Sequence, residues 1–79
     1  MQVDVRLYST LRQYAGSLKI GEPMKVELAD GATISTLLAK IGVPEQDTKQ
    51  AFVNGRSQEM DFQLNDGDQV GVFPPVAGG

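Results

Sequence analysis

The chain stops on two glycines, and its last seven residues, Phe73-Pro74-Pro75-Val76-Ala77-Gly78-Gly79, hold the group best placed to react. A terminal carboxylate preceded by two residues without side chains can enter a slot too narrow for any other residue. Proline fixes φ and lacks an N–H, so Pro74-Pro75 must end any sheet ladder that reaches Phe73. The segment beyond is expected to run as an extended, solvated tail close to polyproline II. At about 3.3 Å per residue, the stretch from Pro74 to Gly79 reaches roughly 20 Å. The spacing suits a handle with a chemical end: residues 1–73 as a folded body and 74–79 as a flexible tail carrying Gly79. The plainer reading is a frayed terminus.

The rest of the composition removes most other chemistry. There are no cysteines and no histidines. Disulfides, thiolate metal ligands, a cysteine nucleophile and a Ser-His-Asp triad are therefore excluded. The net charge is −3, and the seven basic residues (Arg6, Arg12, Lys19, Lys25, Lys40, Lys49, Arg56) are scattered rather than gathered into a phosphate-binding stripe. Asp66 and Asp68, with Glu59 and Asp61 nearby, lack the spacing of a calcium loop and read as turn residues. No apolar run is long enough to span a membrane, and Met1-Gln2-Val3-Asp4 lacks the features of a signal peptide. A cytoplasmic location is the resulting expectation.

The elements that would position Gly79 can be read in order. Val3, Val5 and Leu7 alternate with polar neighbours, predicting a half-buried first strand. Ser9 is expected to cap a short helix over Thr10–Ala15 that Gly16 ends. Ser17 to Pro23 reads as a loop. Met24, Val26 and Leu28 alternate as a second strand. Asp30-Gly31 supplies a turn, and Thr33 is an N-cap candidate. Ile34, Leu37, Leu38 and Ile41 follow at the spacing of an amphipathic helix, closed by Gly42 with Pro44 just beyond. Ala51-Phe52-Val53 is a short apolar run before Asn54-Gly55, the strongest hairpin signal in the chain. Arg56-Ser57-Gln58 returns, Met60, Phe62 and Leu64 tuck inward, and Asp66-Gly67-Asp68 turns into a last strand over Gln69–Phe73. One main helix and about five strands predict an α+β domain, a mixed sheet with the helix packed across one face.

This order, with a strand at the start and Gly-Gly at the end, resembles the ubiquitin-like β-grasp fold, in which the first and last strands run parallel in the centre of the sheet. More narrowly, Asp66-Gly67-Asp68-Gln69-Val70-Gly71-Val72-Phe73-Pro74-Pro75-Val76-Ala77-Gly78-Gly79 resembles the end of the MoaD proteins, within the MoaD/ThiS family of sulfur carriers. Every fixed position of their D-G-D-x-V-x-x-F-P-P-V-x-G-G pattern is matched. The front, Val3 to Arg12, is similar to the family's first strand and helix start. The middle, Pro44 to Asn65, is similar only through Val53-Asn54 and the Asn-Gly turn.

The resemblance implies a protein that is not an enzyme alone but a cosubstrate, the small subunit of a molybdopterin synthase. An E1-like adenylating enzyme of the MoeB/ThiF kind, using ATP and Mg, would activate Gly79. A persulfide donor would convert it to a thiocarboxylate, and a MoaE-like large subunit would receive its sulfur for the molybdopterin dithiolene. No cofactor is expected on this chain itself. Gly78 is needed for threading. Phe73 and Tyr8 point away from the core by strand alternation and are expected to dock partners. The resemblance adds Arg12 to that surface, together with the tail residues Pro74, Pro75, Val76 and Ala77. Three alternatives stay open: a ThiS-like or other carrier serving thiamine thiazole, a tungsten cofactor or tRNA; a ubiquitin-like modifier of lysines; and an inert β-grasp binding domain.

Overall fold

Alternation builds the sheet, and pairing between distant segments orders it. In the computed structural model, which describes residues 1–16 and 22–75, the strands are β1 (Gln2–Leu7), β2 (Met24–Glu27), β3 (Gln50–Val53), β4 (Arg56–Gln58) and β5 (Gln69–Phe73). They form one five-stranded sheet in the order β2-β1-β5-β3-β4. β1 and β5 run parallel at its centre, with Val5 opposite Val70 and Leu7 opposite Val72. The other neighbouring pairs are antiparallel. This is the β-grasp arrangement expected from the sequence.

Among the described residues the one α-helix, α1 (Ile34–Ile41), has eight residues. That length is too short for stability in isolation, so its packing must sustain it. Ile34, Leu37 and Leu38 are completely buried, against the inward faces of Val3, Val5, Val70, Val72 and Ala51. Ile41 is half-buried at the rim. Thr33 caps the helix as predicted: its hydroxyl accepts from the Thr36 N–H at 3.2 Å, and the Thr36 hydroxyl accepts from the Thr33 N–H at 3.3 Å. Gly42 closes the other end in the left-handed region at φ 81°. Helix starts leave N–H groups without intrahelical partners. Here the Phe62 and Met60 carbonyls accept from Ile34 and Ser35. The irregular stretch between β4 and β5 thus completes the helix start while Leu64 enters the core.

Two local readings need correction. The short helix after β1 is a 3-10 helix over Ser9–Tyr14, and Ser9 does not cap it. Tyr8 occupies the cap position without a side-chain hydrogen bond, and Ser9 itself has φ 54°. The cause is the sheet: the Tyr8 N–H donates to the Val72 carbonyl at 3.1 Å, so the chain stays in the ladder until the turn begins and must then reverse sharply. The second strand ends at Glu27 rather than Leu28, although Leu28 is buried and its N–H donates to the Met1 carbonyl. A further 3-10 turn spans Glu45–Asp47. No helix among the described residues is long and apolar enough to cross a membrane.

Candidate functional site

The helix covers one face of the sheet and leaves the other open. Along β1, β5 and β3, the residues alternate with the core positions and emerge on that open face. They fall into two halves. One half is polar: Asp4 accepts from Lys25 Nζ at 3.3 Å and from Gln69 Nε2 at 3.1 Å, while Gln69 Oε1 accepts from Arg6 at 3.0 Å. These bonds hold the Asp4 carboxyl below its ordinary value, with the Gln69 hydrogen bond first among the causes and Lys25 next.

The other half is aromatic. The rings of Tyr8 and Phe73 stack with centroids 4.4 Å apart and planes 2° from parallel. Phe52 meets Phe73 edge-on at 5.6 Å and 84°. Both geometries are favoured by the ring quadrupole. A groove of about 360 Å³ runs across this face, lined by Tyr8, Phe52, Phe73, Gly71, Arg6 and Gln69, with Gly55 and Val70 at its edges. Gly71 forms its floor: a Cβ there would lie 3.4 Å from Tyr8 Cε2 and 3.7 Å from Phe73 Cε1. The missing side chain lets the stacked rings settle over the backbone of β5. Tyr8 is the exposed large hydrophobic of the described residues, at 37%.

The tail leaves directly from this cluster. The Phe73 carbonyl accepts from the Lys49 N–H at 2.8 Å, and Pro74 has no N–H to extend the ladder. Pro74 is half-buried and Pro75 exposed. A second, more polar groove lies where Pro74 and Pro75 adjoin Thr10, Leu11, Gln13, Gln46 and Asp47. The anchor point of the tail is therefore bordered by two unlike surfaces.

The ThiS family model matches residues 5–79, all but the first four residues of the chain. The chain belongs to the ThiS family. Among solved structures, it is 33% identical to a Pyrococcus furiosus protein assigned as molybdopterin converting factor subunit 1, with a TM-score of 0.73 over 96% of this chain and 99% of that one. It shares its fold with the small archaeal modifier protein 1 of Haloferax volcanii, at 20% identity and TM-score 0.74 over 95% and 98% of the two chains. It also shares it with a chain in the complex of molybdopterin-converting factor subunits 1 and 2 from Helicobacter pylori, at 22% identity and TM-score 0.62 over all of both chains. Comparison with curated proteins gave no match.

In this ThiS-family chain, the structure brings Tyr8 and Phe73 into contact and sets Pro74 and Pro75 beside them. Arg12 is half-buried on the first 3-10 helix and lines neither groove. Val76, Ala77, Gly78 and Gly79 lie outside the described residues. The groove also recruits Phe52, Gly71, Arg6 and Gln69, which sequence patterning alone does not assign to docking. The signal for Phe52 was present, because alternation through Ala51-Phe52-Val53 turns Phe52 away from its two buried neighbours. Asp66 and Asp68 serve as acceptors: Asp66 takes the Gln2 N–H at the start of β1 at 2.7 Å, and Asp68 closes its own turn by accepting from the Asn65 N–H at 2.8 Å.

Proposed function

We propose that the protein is a sulfur carrier that acts through its C-terminal carboxylate, as the small subunit of a molybdopterin synthase. The observation that carries this reading is the family match extending to Gly79, joined to a body in which β5 ends at Phe73 and two prolines at one edge of an open aromatic face. The Pyrococcus relative assigned as molybdopterin converting factor subunit 1 supports the choice of pathway.

A carboxylate is a poor electrophile, and the chain has no histidine or cysteine to help activate it. Adenylation by a separate E1-like enzyme supplies a leaving group: a Gly79 oxygen attacks the α-phosphorus of ATP and pyrophosphate departs. A persulfide sulfur then attacks the acyl carbon and AMP leaves. A thiol cleaves the resulting acyl disulfide, releasing the thiocarboxylate. That sulfur is an ionised nucleophile at neutral pH; it bonds to a carbon of the pyranopterin precursor in the large subunit as an oxygen substituent leaves that carbon. Water then cleaves the acyl C–S bond of the resulting thioester, leaving the sulfur on the precursor and restoring the Gly79 carboxylate. This chain contributes reach, a terminus thin enough to thread, and a docking surface. Tyr8, Phe73 and Phe52 form that surface, with Arg12 and the stretch 74–77 along the path to the active site. The need for ATP supports a cytoplasmic location.

Intact-mass spectrometry after incubation with an activating enzyme, ATP and a sulfur donor tests the reading. The expected result is replacement of one oxygen by sulfur at Gly79. In Gly78→Leu the fold is retained and the mass change is lost, because the added side chain blocks threading. Normal thiolation of that variant would refute the threading role. The likeness of fold to a small archaeal modifier supports a second reading, conjugation to lysines. In that case the same incubation with cell protein yields higher-mass adducts through Gly79 instead.

A further inference from the structure

Asp68 is the buried charged side chain among the described residues, with 8% of its surface exposed. A buried carboxylate needs partners for its oxygens. Oδ2 accepts from the Asn65 N–H at 2.8 Å, and Oδ1 accepts from Asn54 Nδ2 at 2.9 Å. The same Asn54 amide is held at its other end, where Oδ1 accepts from the Gln69 N–H at 3.0 Å. Its backbone N–H donates in turn to the Gln69 carbonyl at 2.8 Å. One amide thus fastens the β3–β4 turn to the first residue of β5. Both turn residues have positive φ, 52° at Asn54 and 85° at Gly55. Asparagine followed by glycine is also the dipeptide most prone to spontaneous hydrolysis, because the glycine nitrogen is unhindered.

We propose that Asn54 is a site of spontaneous deamidation, guarded by its contact with Asp68, and that its product cannot restore that contact. The inference does not depend on the sulfur-carrier reading. In the reaction the Gly55 nitrogen loses its proton and bonds to Asn54 Cγ. The Cγ–Nδ2 bond breaks and ammonia leaves, giving a succinimide. Water then opens either carbonyl of the ring, producing aspartate or isoaspartate. The net change is one water consumed and one ammonia released, with no oxidation. In the closed clasp one end of the amide is bonded to Asp68 and the other to Gln69 at the start of β5, which keeps Cγ from turning toward the Gly55 nitrogen. Hydrolysis therefore proceeds from the locally opened turn.

The product cannot re-form the clasp. Its side chain no longer carries the amide N–H that donates to Asp68, and two acceptor oxygens would face one another at the position of a 2.9 Å hydrogen bond. Gly55 and Gln69, which border the open-face groove, would lose their fixed spacing.

The test follows intact mass and ammonia release over time in the full chain, at a temperature where circular dichroism reports every variant folded. Asp68→Ala should deamidate at Asn54 about tenfold faster than the parent, the factor that corresponds to losing one ordinary hydrogen bond's worth of closure. Equal rates in the two proteins would overturn the guarding role. Independently, Asn54→Asp should lower the melting temperature by about 5–15 °C, since the cost of an unpaired buried carboxylate is large for a domain of this size. The exchanged pair Asn54→Asp with Asp68→Asn should recover at least half of that loss, because donor and acceptor are merely swapped. Failure of the exchange to recover stability, or an Asn54→Asp protein as stable as the parent, would sink the proposed clasp.

Discussion

Tyr8 and Phe73 come from residues 65 positions apart and stack because parallel pairing of β1 and β5 sets their ends side by side. Their rings shield one another and part of Gly71, so each has a structural share beside the docking role proposed for it. An aromatic pair of this kind adds about 0.5–1.5 kcal/mol beyond the area it buries. Tyr8→Ala is expected to lower stability by no more than about that amount. Its effect on partner affinity should be larger, about 10–100-fold, as for an anchor near the centre of an interface. Titration against the large subunit, with Tyr8→Phe as the conservative control, measures it. Unchanged affinity of the alanine variant would show that the ring does not anchor a partner. Gly71 acts by having no side chain. Alanine there would meet Tyr8 at ordinary contact distance, while a branched residue would wedge the stack apart.

At the scale of elements, α1 is the support on which the open face depends. Eight residues cannot hold helical form alone, and caps at Thr33 and Gly42 add only local help. What fixes the helix is the complete burial of Ile34, Leu37 and Leu38 against the inner sides of the same strands that carry Tyr8, Phe73 and Phe52. Leu37→Ala should therefore cost about 2–5 kcal/mol through lost burial and an unfilled cavity. A domain of this length has roughly 4–12 kcal/mol in total. Urea unfolding monitored by circular dichroism should show the midpoint falling by a large fraction. A loss below 1 kcal/mol would mean that the helix is seated less tightly than its burial indicates. The strand β5 has the opposite character. It is central, paired on both sides, and ends only because Pro74 carries no donor, which is why the tail begins where the aromatic cluster does.

Across the whole molecule, charge is arranged so that the open face is polar at one end and aromatic at the other. The polar end is anchored on Asp4, whose carboxyl is held below its ordinary value of 3.8 by Gln69 first and Lys25 next. A lowered folded-state value means that this contribution to stability is present above the unfolded value and disappears as pH falls through the folded one. The loss thus belongs to the region below pH 3.8, and neutral solutions do not sample it. Because Asp4 is solvated, the effect is small and salt-sensitive. Stability measured from pH 5 downward should fall slightly less steeply in Asp4→Asn than in the parent. Identical acid limbs would show that the Lys25 and Gln69 contacts add nothing to folding.

Much of this protein is legible residue by residue, because its signals are local. Thr33 and Gly42 bracket a helix through backbone groups within one turn. Asn54-Gly55 and Gly67 mark turns through positive φ, and alternation marks each strand. The D-G-D to Gly-Gly stretch is contiguous, so its kinship with the MoaD/ThiS proteins needed no fold at all. The tertiary structure decided what depends on distant partners. It kept Tyr8 in the sheet through Val72 and so replaced the expected Ser9-capped helix with a tighter turn. It added Phe52 to the aromatic face by pairing β3 with β5, and it closed Asn54 onto Asp68. Dihedral preferences and caps act over a few residues, whereas ring contacts and buried carboxylate partners depend on strand order, which no local preference encodes.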